Sequence, residues 1–131
     1  MLTASDIMTS EIVFVHIETS IEEAISLLLD RQISGVPVVD DDGRLVGMIT
    51  EFALLATAYD RDVKTQTVGQ HMTRDLITAE VNDPISRIAD LCIVHRVRRV
   101  PVMQDGRLVG LISRRDVLRA LAGGPMGVCT G

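Results

Sequence analysis

The run Ser113-Arg114-Arg115-Asp116 has the residue types and spacing to handle a phosphorylated ligand. Ser113 ends an apolar run and stands where a strand gives way to a helix. A helix start presents free N–H groups and a partial positive charge, which suits a phosphate. Asp116, three residues on, falls in the first helical turn, where its carboxylate can accept both hydroxyls of a ribose. The same S-x-x-D spacing is also a capping box, which needs no ligand at all. Earlier in the chain, Thr50-Glu51-Phe52-Ala53 occupies the corresponding place without the acid. An acid needed only to start the helix should not be dispensable there, so the asymmetry favours a ligand. Arg98 and Arg99 precede Val100-Pro101-Val102, whereas Ser34 and Gly35 precede the matching Val36-Pro37-Val38. Adjacent guanidiniums suit bidentate anion contacts; the alternative is that they pair with acids elsewhere in the chain.

These positions correspond because the chain is an internal repeat, the first feature to seek in any sequence. A shift of 64 places lays Asp6–Val13 over Gln70–Ile77 and Pro37 over Pro101. After the extra residue in Asp40-Asp41-Asp42 the shift is 63, and Gly43, Leu45 and Gly47 meet Gly106, Leu108 and Gly110. In each copy a segment ending in Met-Thr leads to an extended apolar stretch, Ile12–Val15 or Leu76–Ala79. A helix follows, with an apolar stripe at Ile21, Ala24, Ile25, Leu28 and Leu29, matched by Ile85, Ile88, Ala89, Cys92 and Ile93. Asp83 before Pro84 reads as an N-cap followed by proline at the first helical position. By alignment Thr19 is the N-cap of the first copy, with Glu22 completing a capping box. On this stripe Cys92 is a core thiol rather than a reactive one.

Two β-rich runs flank D-D-G in one copy and Q-D-G in the other, a hairpin signal. Pro37 and Pro101, early in the first strand, suggest a sheet edge or a strand start, because proline cannot donate to the ladder. A last amphipathic helix carries Leu54, Leu55 and Ala58, or Val117, Leu118 and Leu121. Each copy is therefore β-α-β-β-α, an α+β arrangement. The first repeat spans 3–59, a polar linker 60–66, the second repeat 67–122 and a flexible tail 123–131. A copy of about 60 residues is marginal alone, so the two sheets should pack about a pseudo-twofold axis and fold as one unit.

Composition agrees with a packed globular chain: 131 residues, 47% hydrophobic and 24% charged. Aromatics make up 2%, so the core must be aliphatic. No apolar run approaches the roughly 20 residues of a membrane span, and the N-terminus lacks the order of a secretory signal. Cys92 and Cys129 have no metal-ligand spacing, which points to a reducing, cytoplasmic setting. Net charge is −5, which argues against a general nucleic-acid binder. The halves differ: residues 1–64 hold 4 basic and 12 acidic side chains, residues 65–131 hold 9 basic and 6 acidic, and all 9 bases are arginine.

The repeat D-I-M-T … I-S-G-V-P-V-V-D-D-D-G-R-L-V-G-M-I-T and its partner H-M-T … R-V-R-R-V-P-V-M-Q-D-G-R-L-V-G-L-I-S-R-R-D resemble a tandem pair of cystathionine-β-synthase (CBS) domains, a Bateman module, over about residues 3–122. The resemblance implies a regulatory module that binds AMP, ADP or ATP, or another adenosyl ligand, with no required cofactor or metal. It also implies that two chains pair into a flat homodimeric disc. In that pattern Asp116 would hold the ribose, Ser113 the phosphate, and Arg99, with Arg98 beside it, further phosphates. Main chain and apolar groups around Val100 and Pro101, and near Ile77 and Thr78, would hold the adenine. In the first copy Thr50, Val36 and Pro37 would form a weaker second site, because Ala53 and Ser34-Gly35 replace the acid and the bases. An enzyme is disfavoured, since His16, His71 and His95 have no nucleophile or metal partner at a defensible spacing. The rival reading is a dimerisation or partner-docking domain that works without a ligand.

Overall fold

The computed structural model describes residues 1–123; the expected tail beyond Gly123, with Cys129, lies outside the described residues. In chain order the elements are α1 (Ala4–Ile7), β1 (Val15–His16), α2 (Ile21–Arg31), β2 (Gly35–Val39), β3 (Leu45–Thr50), α3 (Glu51–Asp60), α4 (Val68–His71), β4 (Ala79–Glu80), α5 (Ile85–His95), β5 (Arg99–Gln104), β6 (Arg107–Ser113) and α6 (Arg114–Ala122). After each short leader helix, β-α-β-β-α therefore occurs twice. The strands form two three-stranded sheets, ordered β1-β2-β3 and β4-β5-β6. In each sheet the first pair is parallel and the second is the expected antiparallel hairpin. Gly43 and Gly106 turn the hairpins with φ of 79° in both copies, a left-handed conformation that glycine adopts without steric cost. Asp40 tightens the first turn, its Oδ1 accepting the amides of Asp42 and Arg44 at 2.9 Å each.

Each sheet buries one face under its two long helices. Val36, Val38 and Ile49 pack with Ile21, Ala24, Leu28 and Leu54. Val100, Val102 and Ile112 pack with Ile88, Cys92 and Val117. Cys92 is buried, as its place on the stripe requires. The outer members of the same stripes, Leu29, Leu55, Ile93 and Leu118, are exposed.

Pro37 and Pro101 do not mark a sheet edge, because β2 and β5 are the central strands. Pro37 lies opposite Met48, whose N–H and C=O face away and bond Thr73 at 3.0 and 2.8 Å. On its other side β1 reaches only Val38 and Val39. Among the described residues no neighbour asks for the missing N–H, so a central strand tolerates proline here. Pro101 repeats this, opposite a Leu111 that bonds Thr9.

Those bonds also show where the Met-Thr leaders go. The compact units are Val13–Leu76 on the one hand, and Met1–Ile12 with Ile77 onward on the other. Each repeat's leader thus lies on the sheet of the other repeat. Thr73 edges β3 and Thr9 edges β6. The amides of Val68 and Gly69 donate to Thr19 and Ile17, while those of Ala4 and Ser5 donate to Asp83 and Val81. Residues 60–66 are bound into the first unit, with Val63 and Gln66 accepting the amides of Glu22 and Ile21 at the start of α2.

The helix caps fall one residue later than expected. Ser20, not Thr19, caps α2 by accepting the Glu23 amide at 3.0 Å. Pro84 is at the N-cap of α5 and offers no side-chain acceptor. Thr19 and Asp83 close the preceding turns instead, accepting the amides of His16 at 3.0 Å and Glu80 at 2.8 Å.

Candidate functional site

Strand β6 delivers Ser113 directly into α6, and β5 places Arg99 opposite Ser113 in the ladder. Side chains of directly opposed antiparallel residues share a face, so guanidinium and hydroxyl lie on one side of the sheet. The capping box is formed: Ser113 Oγ accepts the Asp116 amide at 3.2 Å, and Asp116 Oδ2 accepts the Ser113 amide at 2.8 Å. Asp116 Oδ1 accepts from Arg119 Nη1 at 3.2 Å. Its side chain remains one-fifth exposed, while Arg119 is largely in solvent at 74%. The carboxylate is thus held in a fixed orientation by its own helix start, with one solvent-exposed partner on its outer oxygen.

The main chain ties the arginine pair to the same place, the amide of Arg114 donating to the carbonyl of Arg98 at 3.0 Å. Arg98 is exposed; Arg99 is half-buried and already has an interaction partner. Val100 packs into the second core, so only its main chain remains for a ligand. Pro101 is buried as well. Strand β4 runs parallel to β5 with Ala79 beside Val102, so half-buried Thr78 and Ile77 run back towards Pro101 and Val100. The eight second-repeat positions singled out from sequence therefore gather at one end of one sheet.

The first repeat reproduces the skeleton without the charges. Thr50 Oγ1 accepts the Ala53 amide at 3.3 Å, and the Glu51 amide donates to Ser34 at 2.9 Å. Gly35 lies opposite Thr50, and Val36 and Pro37 are buried. What this end lacks is Asp116's carboxylate and the guanidiniums of Arg98 and Arg99. Arg119 is the one contributor that sequence reasoning does not single out; its signal is the i, i+3 spacing from Asp116. Among the described residues no group of three or more His, Cys, Asp or Glu is placed to hold a metal ion. No helix there is long and apolar enough to cross a membrane.

Comparison with known proteins agrees with the repeat. A family model, the CBS domain, matches residues 4–59 and again 68–123. The uncharacterized protein MJ1225 of Methanocaldococcus jannaschii is 29% identical over 116 residues, 88% of this chain. L-aspartate semialdehyde sulfurtransferase of the same organism is 34% identical over 119 residues, 90% of the chain. The chain spans only 41% and 23% of those two relatives, respectively. Among solved structures, the CBS domain pair of protein MJ0100 in complex with 5-methylthioadenosine and S-adenosyl-L-methionine aligns with a TM-score of 0.80 and 30% identity. That alignment covers 94% of this chain and 98% of the other. CBSX2 in complex with AMP aligns with a TM-score of 0.83 and 30% identity, over 93% and 97% of the two chains.

Proposed function

This chain belongs to the CBS domain family, with two copies of the domain, and from that premise we propose that it is a non-catalytic regulatory module that senses an adenosyl ligand. The ligand binds mainly at the second-repeat end, around Ser113, Asp116 and Arg99. The observation that carries this reading is the joint presence there of an oriented carboxylate, a helix N-terminus and a facing guanidinium, against the missing carboxylate and guanidinium at Ala53 and Gly35. Asp116 accepts the ribose hydroxyls on the lone pairs its cap leaves free, with exposed Arg119 giving way. Ser113 and the first turn of α6 receive phosphate, with Arg99 and Arg98 adding charge. The main chain of Val100 and Pro101, with Ile77 and Thr78, meets the base. The first-repeat end, Thr50 with Val36 and Pro37, binds weakly or takes a less anionic ligand. AMP, ADP and ATP are the first candidates, and the two solved relatives bound to AMP, S-adenosyl-L-methionine and 5-methylthioadenosine support the class.

Thermal unfolding tests the reading. AMP, ADP, ATP, NAD and S-adenosylmethionine should each be titrated, and a true ligand at 100 times its dissociation constant should stabilise by about 2.7 kcal/mol. Asp116→Asn keeps an acceptor for the Ser113 amide and should lose most of that shift. If none of the five moves the transition, the nucleotide reading fails.

A second feature supports pairing of two copies. α2 with α3, and α5 with α6, each leave an exposed apolar groove. We infer that the module is a homodimer joined through these helix faces, and that ligand acts by its differential affinity for two arrangements of the pair. Sizing chromatography with and without nucleotide separates this from a ligand-independent docking domain.

A further inference from the structure

The two grooves are built on equivalent residues but differ in charge. The first, between α2 and α3, has a volume of about 580 Å³. It exposes Leu29 at 73% and Leu55 at 69%, with Ala58 beyond. Among the described residues its only charged lining residue is Glu51, the first residue of α3. The second, between α5 and α6, has a volume of about 370 Å³ and exposes Ile93 at 73%, Leu118 at 67% and Leu121 at 58%. Its charged lining residues are Arg114, the first residue of α6, and Arg96, the left-handed cap of α5 at φ 55°. At the position of Arg96 the first groove carries Gln32, also with φ 55°. Among the described residues, neither Glu51 nor Arg96 nor Arg114 has an ion pair within the chain.

Building on the pairing of two copies put forward above, we propose that the pairing is unlike on unlike: the Glu51 groove of one copy seats against the Arg96–Arg114 groove of a second copy. A like-on-like contact across a twofold axis is isologous, so each residue must find its partner within the same patch. Among the described residues, the first groove is lined by an acid and no base, the second by two bases and no acid. Paired like on like, each would bury charge of one sign among leucines with no counter-charge, which is costly. Paired unlike on unlike, Glu51 meets Arg96 and Arg114 of the other copy. Size complements charge, because the larger groove ends in Ala58 where the smaller one carries Leu121.

The test is the dimer dissociation constant of the full chain by sedimentation, with the sign of one substitution deciding. Arg114→Glu should weaken dimerisation about tenfold, because it sets a second carboxylate against Glu51, and Glu51→Arg should do the same by setting a third guanidinium against the two arginines. The double variant Glu51→Arg with Arg114→Glu should return close to the wild-type value. In a like-on-like dimer Arg114→Glu would instead tighten association, by giving Arg96 an acidic partner, and the double variant would show no rescue. Cross-linking gives an independent readout in a Cys92→Ala, Cys129→Ser background. Chains with Leu55→Cys and Leu118→Cys should cross-link when mixed, and neither should do so with itself. A self-linking Leu55→Cys chain, or a tighter Arg114→Glu dimer, overturns the unlike pairing and leaves pairing itself standing. A wild-type chain that stays monomeric at every concentration overturns both.

Discussion

As part of a capping box Asp116 satisfies the Ser113 amide, and in the proposed function its carboxylate also accepts a ribose diol; the two roles can be separated. Asp116→Ala should cost about 1 kcal/mol of stability as a lost cap and also abolish the ligand shift. Asp116→Asn should keep most of the stability and still lose the shift; equal loss of both in the two variants would reduce the residue to its structural role. Asp116, Arg98 and Arg99 stand out in the sequence because a repeat makes its own comparison and the first copy has Ala53, Ser34 and Gly35 in their places, whereas Ser113 has a hydroxyl counterpart in Thr50. Arg119 is not, because nothing in the first copy marks its position as special. The caps fall one residue away from their sequence positions for a physical reason. Thr19 and Asp83 have the chemistry of caps, but their oxygens are taken by the amides of the turn before the helix. The burial of Cys92 is legible from its stripe alone. Burial pushes its thiol up from the ordinary value of 9.0, and the charge of Arg114 offsets this in part. Because the folded value is raised, the contribution of this neutral thiol is present below about pH 9 and is lost as pH rises through the folded value. Its reaction with a thiol reagent near neutral pH should be slow until the chain is unfolded; rapid labelling of the native protein would contradict the buried setting.

Helices and hairpins are legible element by element, because apolar periodicity and acidic-glycine turns are local signals. What packs on the outer edge of each hairpin is not. Both leaders carry the same Met-Thr ending, so sequence cannot say which sheet each one edges. The glycines of β3 and β6 are visible as repeat markers, but their purpose emerges only in three dimensions. A Cβ on Gly47 would lie 2.6 Å from Met72 Sδ and 2.8 Å from the carbonyl oxygen of Thr73. The methionine can swing aside, but the carbonyl belongs to the bonded edge and cannot move without breaking its pairing with Met48. Gly47→Ala should therefore destabilise by about 1–3 kcal/mol in a denaturant titration, and an unchanged midpoint would mean that this edge yields freely. The leader of the second unit has a pH dependence of its own. Asp6 accepts the backbone amide of Thr3 at 2.8 Å and its hydroxyl at 3.1 Å, which holds its carboxyl below the ordinary 3.8. Its stabilising effect is present above that value and is lost as pH falls through the folded one. The amide of Thr3 should then lose hydrogen-exchange protection in acid, before the amides of β5 and β6 do.

At the scale of the whole chain, the exchange of leaders makes the sequence repeat and the folding unit two different things. The repeat invites a cut between residues 64 and 65, giving a first half that contains every element of one β-α-β-β-α copy. That half would lack Val68 and Met72, which belong to the core of the first unit, and Thr73, which bonds the edge of β3. It would retain residues 1–12, whose partners lie in the other unit. A fragment of residues 13–76 has the same length and keeps that core whole. Burying a Val or Met side chain contributes about 1.5–3 kcal/mol each, so losing two is most of what a unit of about 60 residues can spare. Fragment 13–76 should therefore show helical circular dichroism and a cooperative urea transition, while fragment 1–64 should show little of either. A fragment 1–64 that unfolds as cooperatively, and at as high a urea midpoint, would mean the leader adds nothing to the sheet it lies on. The same logic predicts that deleting residues 1–12 from the full chain should raise exchange at the Leu111 amide, which bonds Thr9, and leave Met48 protected.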